Sequence, residues 1–373
     1  MDNFKIAYSD LKDTAEAVQS IKEQLSEIDA CMVLFFVSPS AHPVDVVSSE
    51  MTLAFAGINT VGCTSSGEMV NNRMGSGAIA AMAFSKASMD FLQIEVLENI
   101  NTDADTVAKA FKSFEKSLGE PMKTLAPEKY VGLLIFEGLC FCEEAINDRI
   151  GNLTNVPFVG GTAGDNFNFK YAPLFVNGKV YPKNAVVLIL MKPKNGYEVL
   201  KTQSFIISDK KLTPTKVDES RRMVIEFDGK PAAETFAKIF GNTVEYLAAN
   251  PLEHHVGVVL DEKNYFVRVP GAVDGTNLIF YCIVKEGLEL SLLEPGDIVK
   301  DTREDLQKCL QKCGKPSAII DFNCSLRNAV LGRRDQLQAY SEIFGDVPTI
   351  GCATYGESFI GHMNETSTML LLK

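Results

Sequence analysis

One short glycine-hinged turn is written three times along this chain, and its spacing limits the folds open to it. Residues 62–68 read GCTSSGE, 351–357 read GCATYGE, and 160–166 read the looser GGTAGDN. Each follows a short apolar stretch (59–61, 156–159, 347–350) and enters a polar loop, as where a buried strand ends at a site loop. Glycine permits positive φ and close backbone approach, while Thr, Ser, Asp and Glu supply donors and acceptors. Upstream, 31–37 (CMVLFFV), 130–136 (YVGLLIF) and 317–322 (SAIIDF) read as strands, starting 31, 30 and 34 residues before Gly62, Gly160 and Gly351. Between lie a polar loop and one helical segment, 44–56, 142–152 or 333–344. Strand, loop, helix and strand in this length make a βαβ unit with parallel strands and a right-handed crossover. Matched spacing and flanks in three copies favour repetition over chance.

The chain around these units reads as an α/β fold of two lobes with mixed sheets, pseudo-duplicated. Strands at 77–84 and 90–96, a helix over 103–118 and the second unit fill the first half. Paired strands at 277–284 and 287–292, a helix over 301–313, the third unit and a closing strand at 366–372 replay that order. Asn177-Gly178 signals a type I′ hairpin, and a helix should run from near Pro231 to Gly241. At 373 residues there is room for two domains, 1–215 and 216–373. The seam is expected in 192–216, which carries Pro193, Gly196, Pro214 and repeated lysines but no helical stripe.

A net charge of −12 argues against nucleic-acid or anionic-membrane partners, which need a basic surface. Residues 1–13 are polar and mixed in charge, unlike a signal peptide, and the longest apolar run, 185–191, is too short to span a bilayer. Nine cysteines without an export signal point to reduced thiols and a cytoplasmic location. There is no CxxC. Cys140 with Cys142, and Cys309 with Cys313, have no His or Cys partner at zinc spacing, so most thiols read as small core residues. With no P-loop, no HExxH and no dinucleotide fingerprint, nothing demands a metal or cofactor.

GCTSSGEM (62–69), VPFVGGTAGDNF (156–167) and GKPAAETFAKIFG (229–241) resemble FIST-domain proteins, as do FNCSLR (322–327), VPTIGCATYGE (347–357) and HMNETSTMLLL (362–372). The likeness covers both the N- and C-terminal FIST segments, about residues 30–372. It implies a cytoplasmic bacterial or archaeal sensory module in signal transduction that binds a small ligand of the amino-acid class. With no output domain in this sequence, the signal is expected to pass in trans to a histidine kinase, cyclase or chemotaxis protein. Two departures bear on the site. The family's Cys-x-Gly-Arg signature appears as Cys324-Ser325-Leu326-Arg327, without the glycine, and 204–215 lacks an expected Gly-containing turn.

Ligands of parallel αβ sheets sit beyond the carboxyl ends of the strands. The three turns and the loops 38–42, 137–141 and 323–327 are therefore expected to meet around a polar hollow between the lobes. Arg327 suits a carboxylate bidentately, or else a salt bridge. Asn323 can donate and accept at once. Glu68, Asp165 and Glu357 could hold a ligand ammonium or cap backbone N–H groups, and Glu137 stands on the second loop. Ser65, Ser66, Thr162, Thr354 and Tyr355 could complete the hydrogen bonding. Two alternatives stay open. A thiol-dependent enzyme would use Cys63, Cys324 or Cys352 with a base such as His42 or His362. The family resemblance also implies a haem-based gas sensor, with His42 as axial ligand or else as an exposed loop histidine.

Overall fold

The computed structural model describes residues 3–261 and 264–373, so residues 1 and 2 of the expected polar start lie outside the described residues. The first unit runs β1 (Phe4–Ser9), α1 (Thr14–Gln24), β2 (Ala30–Val37), α2 (Val44–Ala54) and β3 (Asn59–Thr64). A hairpin, β4 (Glu68–Val70) and β5 (Arg73–Gly75), and then β6 (Ile79–Ser85) complete it. The second unit repeats the order as β7 (Met89–Glu98), α3 (Thr106–Leu118), β8 (Val131–Phe136), α4 (Glu143–Leu153) and β9 (Phe158–Thr162). Its hairpin is β10 (Leu174–Val176) and β11 (Lys179–Tyr181), and its last strand is β12 (Ala185–Pro193).

The third unit opens with β13 (Tyr197–Gln203) and is then interrupted by a lobe of its own. That lobe holds β14 (Phe205–Leu212), β15 (Pro214–Asp218), β16 (Met223–Phe227), β17 (Lys230–Pro231), α5 (Ala232–Ile239) and α6 (Val244–Ala249). It continues through β18 (His255–Val259), β19 (Tyr265–Arg268), β20 (Pro270–Asp274), β21 (Asn277–Phe280) and β22 (Leu290–Pro295). The unit resumes with α7 (Ile298–Cys313), β23 (Ala318–Cys324), α8 (Ser325–Arg333), α9 (Leu337–Ser341) and β24 (Thr349–Thr354). Its hairpin is β25 (Glu357–Phe359) and β26 (His362–Met363), and β27 (Thr366–Leu372) closes it.

Local chemistry sets the element ends. Asp13 caps α1 by accepting from the Glu16 amide at 3.0 Å. Gly119 stops α3 in the left-handed region at φ 71. Asn177 and Gly178, at φ 49 and 83, make the type I′ turn the sequence signals.

Three six-stranded sheets share one order: β1-β6-β2-β3-β10-β11, β7-β12-β8-β9-β25-β26 and β13-β27-β23-β24-β4-β5. In each, the two repeat strands pair in parallel (β2 with β3, β8 with β9, β23 with β24), as the spacing predicts. The outer hairpin always comes from another unit. The second unit lends its hairpin to the first sheet, the third to the second, and the first to the third. This cyclic exchange extends the replay expected of two halves to three copies.

The alternation along the central strands divides the core. Met32, Leu34 and Phe36 of β2, Leu133 and Ile135 of β8, and Ile320 and Phe322 of β23 face a common interior, where Phe36 meets Phe322 edge-on at 6.1 Å. Their neighbours Val33 and Phe35, Leu134 and Phe136, and Ile319 face outward under the helices. Each fully buried Phe or Leu stabilises by roughly 1.5–3 kcal/mol, so the shared interior is the main tie among the units. The inserted lobe packs two antiparallel sheets and α5 on a separate core of Val224, Phe227, Phe236, Leu247 and Phe280.

Several sequence expectations are corrected. Residues 192–216, the expected seam, to which the sequence pattern assigns no element, are mostly strand from β12 to β15, because successive segments pair with β27, β22 and β16. The strands near 277–284 and 287–292 do not pair with each other: β21 joins β16 and β20, whereas β22 joins β14 and β18. The helix expected over 333–344 shrinks to the short α9, because α8 starts directly at the end of β23, stops at Arg333, and Asp335 then turns left-handed at φ 53. No helix among the described residues is long and apolar enough to cross a membrane.

Candidate functional site

The three turns meet and bond in a ring. Ser66 N donates to Ala353 O at 3.0 Å, and Ala353 N donates to Gly67 O at 2.8 Å. Gly164 N donates to Thr64 O at 3.1 Å, while Tyr355 N donates to Thr162 O and Thr162 N to Gly356 O, both at 2.9 Å. Glycine is needed here for close approach: a Cβ on Gly164 would stand 2.4 Å from Ser66 Oγ. The expected convergence therefore holds, but the meeting point is a packed junction and the open space lies beside it.

The carboxylates of the turns point inward. Glu68 is fully buried and accepts from Ser38 Oγ, Ser65 Oγ and the Ala78 amide. Burial outweighs those bonds and pushes its pKa up to about 7. Glu357 repeats the arrangement with Thr354 Oγ1 and the Thr366 amide, and burial again raises it. Glu137 accepts from the amides of Leu139 and Asn184. Asp165 accepts from the amides of Phe169, Lys170 and Tyr171 and from Tyr355 Oη. Burial would raise Asp165, yet those bonds together hold it below the usual carboxylate range. All four thus serve backbone amides.

Asp165 organises an aromatic loop. Asn166, Phe167 and Phe169 take left-handed φ values of 59, 61 and 51, which cost energy in non-glycine residues and persist because the loop amides are tied to Asp165. The loop sets Phe169 against Tyr355 (centroids 4.7 Å apart) and Tyr281 of the inserted lobe (6.3 Å, planes 16° apart). Beneath them a cleft of about 370 Å³ opens between core and inserted lobe, lined by Phe141, Phe167, Tyr355, Thr354, Ser325 and Arg222 among others.

A second compartment of about 290 Å³ is lined by Arg327, Arg333, Arg334, His255, Glu365 and Ser204. A third hollow of about 330 Å³ shares Phe169, Tyr281 and Leu326 with the aromatic cleft, and Val330, Arg333 and Glu365 with the basic one. Arg327, expected on a loop, sits in the first turn of α8, because the helix starts on the strand end. It is 1% exposed, donates through Nε to Asn323 Oδ1 at 3.0 Å and through Nη2 to Thr302 Oγ1 at 2.9 Å, and leaves Nη1 without a hydrogen-bond partner. Its neighbour Asp321 is buried between Ser367 and Tyr340 and is pushed up to about 6 by burial.

Of the expected residues, Arg327, Thr354 and Tyr355 border the groove, Ser65, Ser66, Thr162 and Asp165 build the junction, and Asn323 positions Arg327. Glu68, Glu137 and Glu357 are sealed below. The Phe and Tyr loop, Tyr281, Arg222, His255 and Glu365 escaped the sequence reading. The aromatic run FNFKY at 167–171, directly after a polar turn, was the one visible signal. Cys63, Cys324 and Cys352 are buried, and burial raises the Cys324 and Cys352 thiols well above their usual range, which disfavours a nucleophile. His42 is no exposed loop histidine: its ring is buried, and Nδ1 pairs with Thr14 Oγ1 at 3.1 Å.

Comparison with known proteins fits this geometry. Residues 31–230 match the FIST N domain and residues 232–359 the FIST C domain. An uncharacterized protein of Methanocaldococcus jannaschii is 21% identical over 318 residues, covering 79% of this chain and 59% of that relative.

Proposed function

Since the chain belongs to the FIST family of sensory, signal-transduction domains, we propose that it senses a small amino-acid-like ligand in the groove between its triplicated core and its inserted lobe. The observation that carries this reading is the idle Nη1 of Arg327. A buried guanidinium group with an unmet donor, facing a compartment with Arg333 and Arg334 on its rim, is suited to a ligand carboxylate. Glu365, buried on the same wall, supplies the opposite charge for an ammonium group. Asn323 and Thr302 fix the fork, so little side-chain entropy is lost on binding.

The groove has walls from both lobes, so a ligand there favours the arrangement that closes on it, and that difference is the signal. The output partner acts in trans, as a histidine kinase, cyclase or chemotaxis protein would, with the whole exchange in the cytoplasm.

Isothermal titration against a panel of amino acids and their decarboxylated amines tests the reading. Saturable binding is expected for carboxylate-bearing ligands, with Arg327→Gln weakening it by roughly 10- to 100-fold, the worth of a charge-assisted hydrogen bond of about 1.5–3 kcal/mol. Flat titrations throughout, or equal affinity in folded Arg327→Gln, would remove the proposal.

A further inference from the structure

At the far end of the aromatic cleft, three side chains with metal-ligating atoms converge from distant segments. Glu144 belongs to α4, Cys282 follows β21 in the inserted lobe, and His362 opens β26. Their ligating atoms all lie within 4.8 Å of one another. Cys282 and His362 are 0% and 4% exposed, and His362 Nδ1 is buried without a hydrogen-bond partner. We propose that Glu144, Cys282 and His362 form a site for a divalent cation of the Zn2+ class, which fastens the inserted lobe to the core.

The donor set selects the ion. A thiolate, an imidazole and a carboxylate together suit a borderline-soft cation and disfavour Mg2+ or Ca2+, which take oxygen. In a tetrahedral site with bonds of about 2.0–2.3 Å the donors stand about 3.3–3.8 Å apart, so a closure of about 1 Å seats the ion. Three protein ligands leave a fourth position open. His362 borders both the aromatic cleft and a neighbouring cleft, which provides the entry path.

The surrounding charges permit the ion. Arg222 donates to Glu143 and to one oxygen of Glu144, both at 2.7 Å, and the other Glu144 oxygen accepts from the Ile283 amide at 2.8 Å. Each carboxylate oxygen has a second lone pair to offer. Arg268 donates to the backbone oxygens of His362 and Ile283. Two carboxylates and one thiolate against two guanidinium groups leave one net negative charge for a divalent ion to meet. The Cys282 thiol now donates to Asn364 Oδ1 at 3.0 Å. On binding, a metal–sulfur bond replaces the S–H bond, the proton leaves to solvent, and no electron is transferred. This site stands whether or not the groove takes a carboxylate.

The test uses the full chain, reduced and stripped with a chelator, then titrated with Co2+ and back-titrated with Zn2+. One equivalent of Co2+ should release about one proton and give a thiolate-to-cobalt charge-transfer band and intense visible bands of tetrahedral cobalt, which Zn2+ bleaches with no further proton release. Cys282→Ser should abolish the charge-transfer band and weaken Zn2+ by roughly 100-fold or more, while Cys142→Ser changes neither. Should Cys282→Ser fail to fold, His362→Gln reads the same loss through the visible bands. A folded wild type without the charge-transfer band, or a band that persists unchanged in Cys282→Ser, overturns the proposal.

Discussion

Replacing Glu68 by glutamine should make the protein more stable at alkaline pH and leave it unchanged in acid. Glu68 is fully buried, and its carboxyl titrates near 7 in the folded chain against 4.5 for an ordinary glutamate. Between those values the folded state keeps a proton that the unfolded state has lost, so stability falls as pH rises. The favourable contribution is complete below about 4.5 and gone above about 8. At 1.36 kcal/mol per pKa unit the gap corresponds to about 3 kcal/mol. Glutamine stays neutral throughout. Its carbonyl can accept the Ala78 amide while its NH2 donates to the Ser38 or Ser65 hydroxyl, so no buried group is orphaned. Urea unfolding of both proteins at half-unit steps from pH 4.5 to 8.5 measures the effect. The curves should coincide near pH 4.5 and diverge by about 3 kcal/mol at pH 8.5, or about 4 °C in Tm for a chain of this size. Asp321, raised by burial to about 6, preserves part of the slope in the variant. Parallel curves across the range, or a variant less stable at pH 8.5, would refute the reasoning.

Gly164→Ala should cost about 2 kcal/mol, because its methyl would meet Ser66 Oγ at 2.4 Å and Ser66 N at 3.0 Å and spread the junction. Gly151→Ala, in α4 with nothing within 4 Å, should instead stabilise by roughly 0.5–1 kcal/mol, and chemical denaturation of the pair separates crowding from backbone entropy. Alkylation by iodoacetamide near neutral pH should mark the partly exposed Cys31, Cys142, Cys309 and Cys313 before the buried Cys63, Cys324 and Cys352, as read by mass mapping of peptides. First labelling at Cys324 or Cys352 would revive the thiol-enzyme reading.

What could be read from the residues alone was whatever short-range pattern encodes. The apolar runs at β2, β8 and β23, the glycines closing each turn and the recurring interval between them specified three parallel pairs and the ends that meet, because side-chain periodicity and turn chemistry act over a few residues. Arg327 stood out through its charge beside a strand end. Only the tertiary structure decided that each unit lends its two- or three-residue hairpin strands to a neighbour, since such strands are too short to carry a pattern and any of three similar edges could receive them. It also decided that the turn carboxylates bind backbone amides and that Arg327 is locked with one donor idle. The groove, walled by Phe169, Tyr281 and Tyr355, and the meeting of Glu144, Cys282 and His362 join residues at least 74 positions apart (Tyr281 to Tyr355). Proximity of that kind follows from how the lobes pack, and spacing along the chain does not record it.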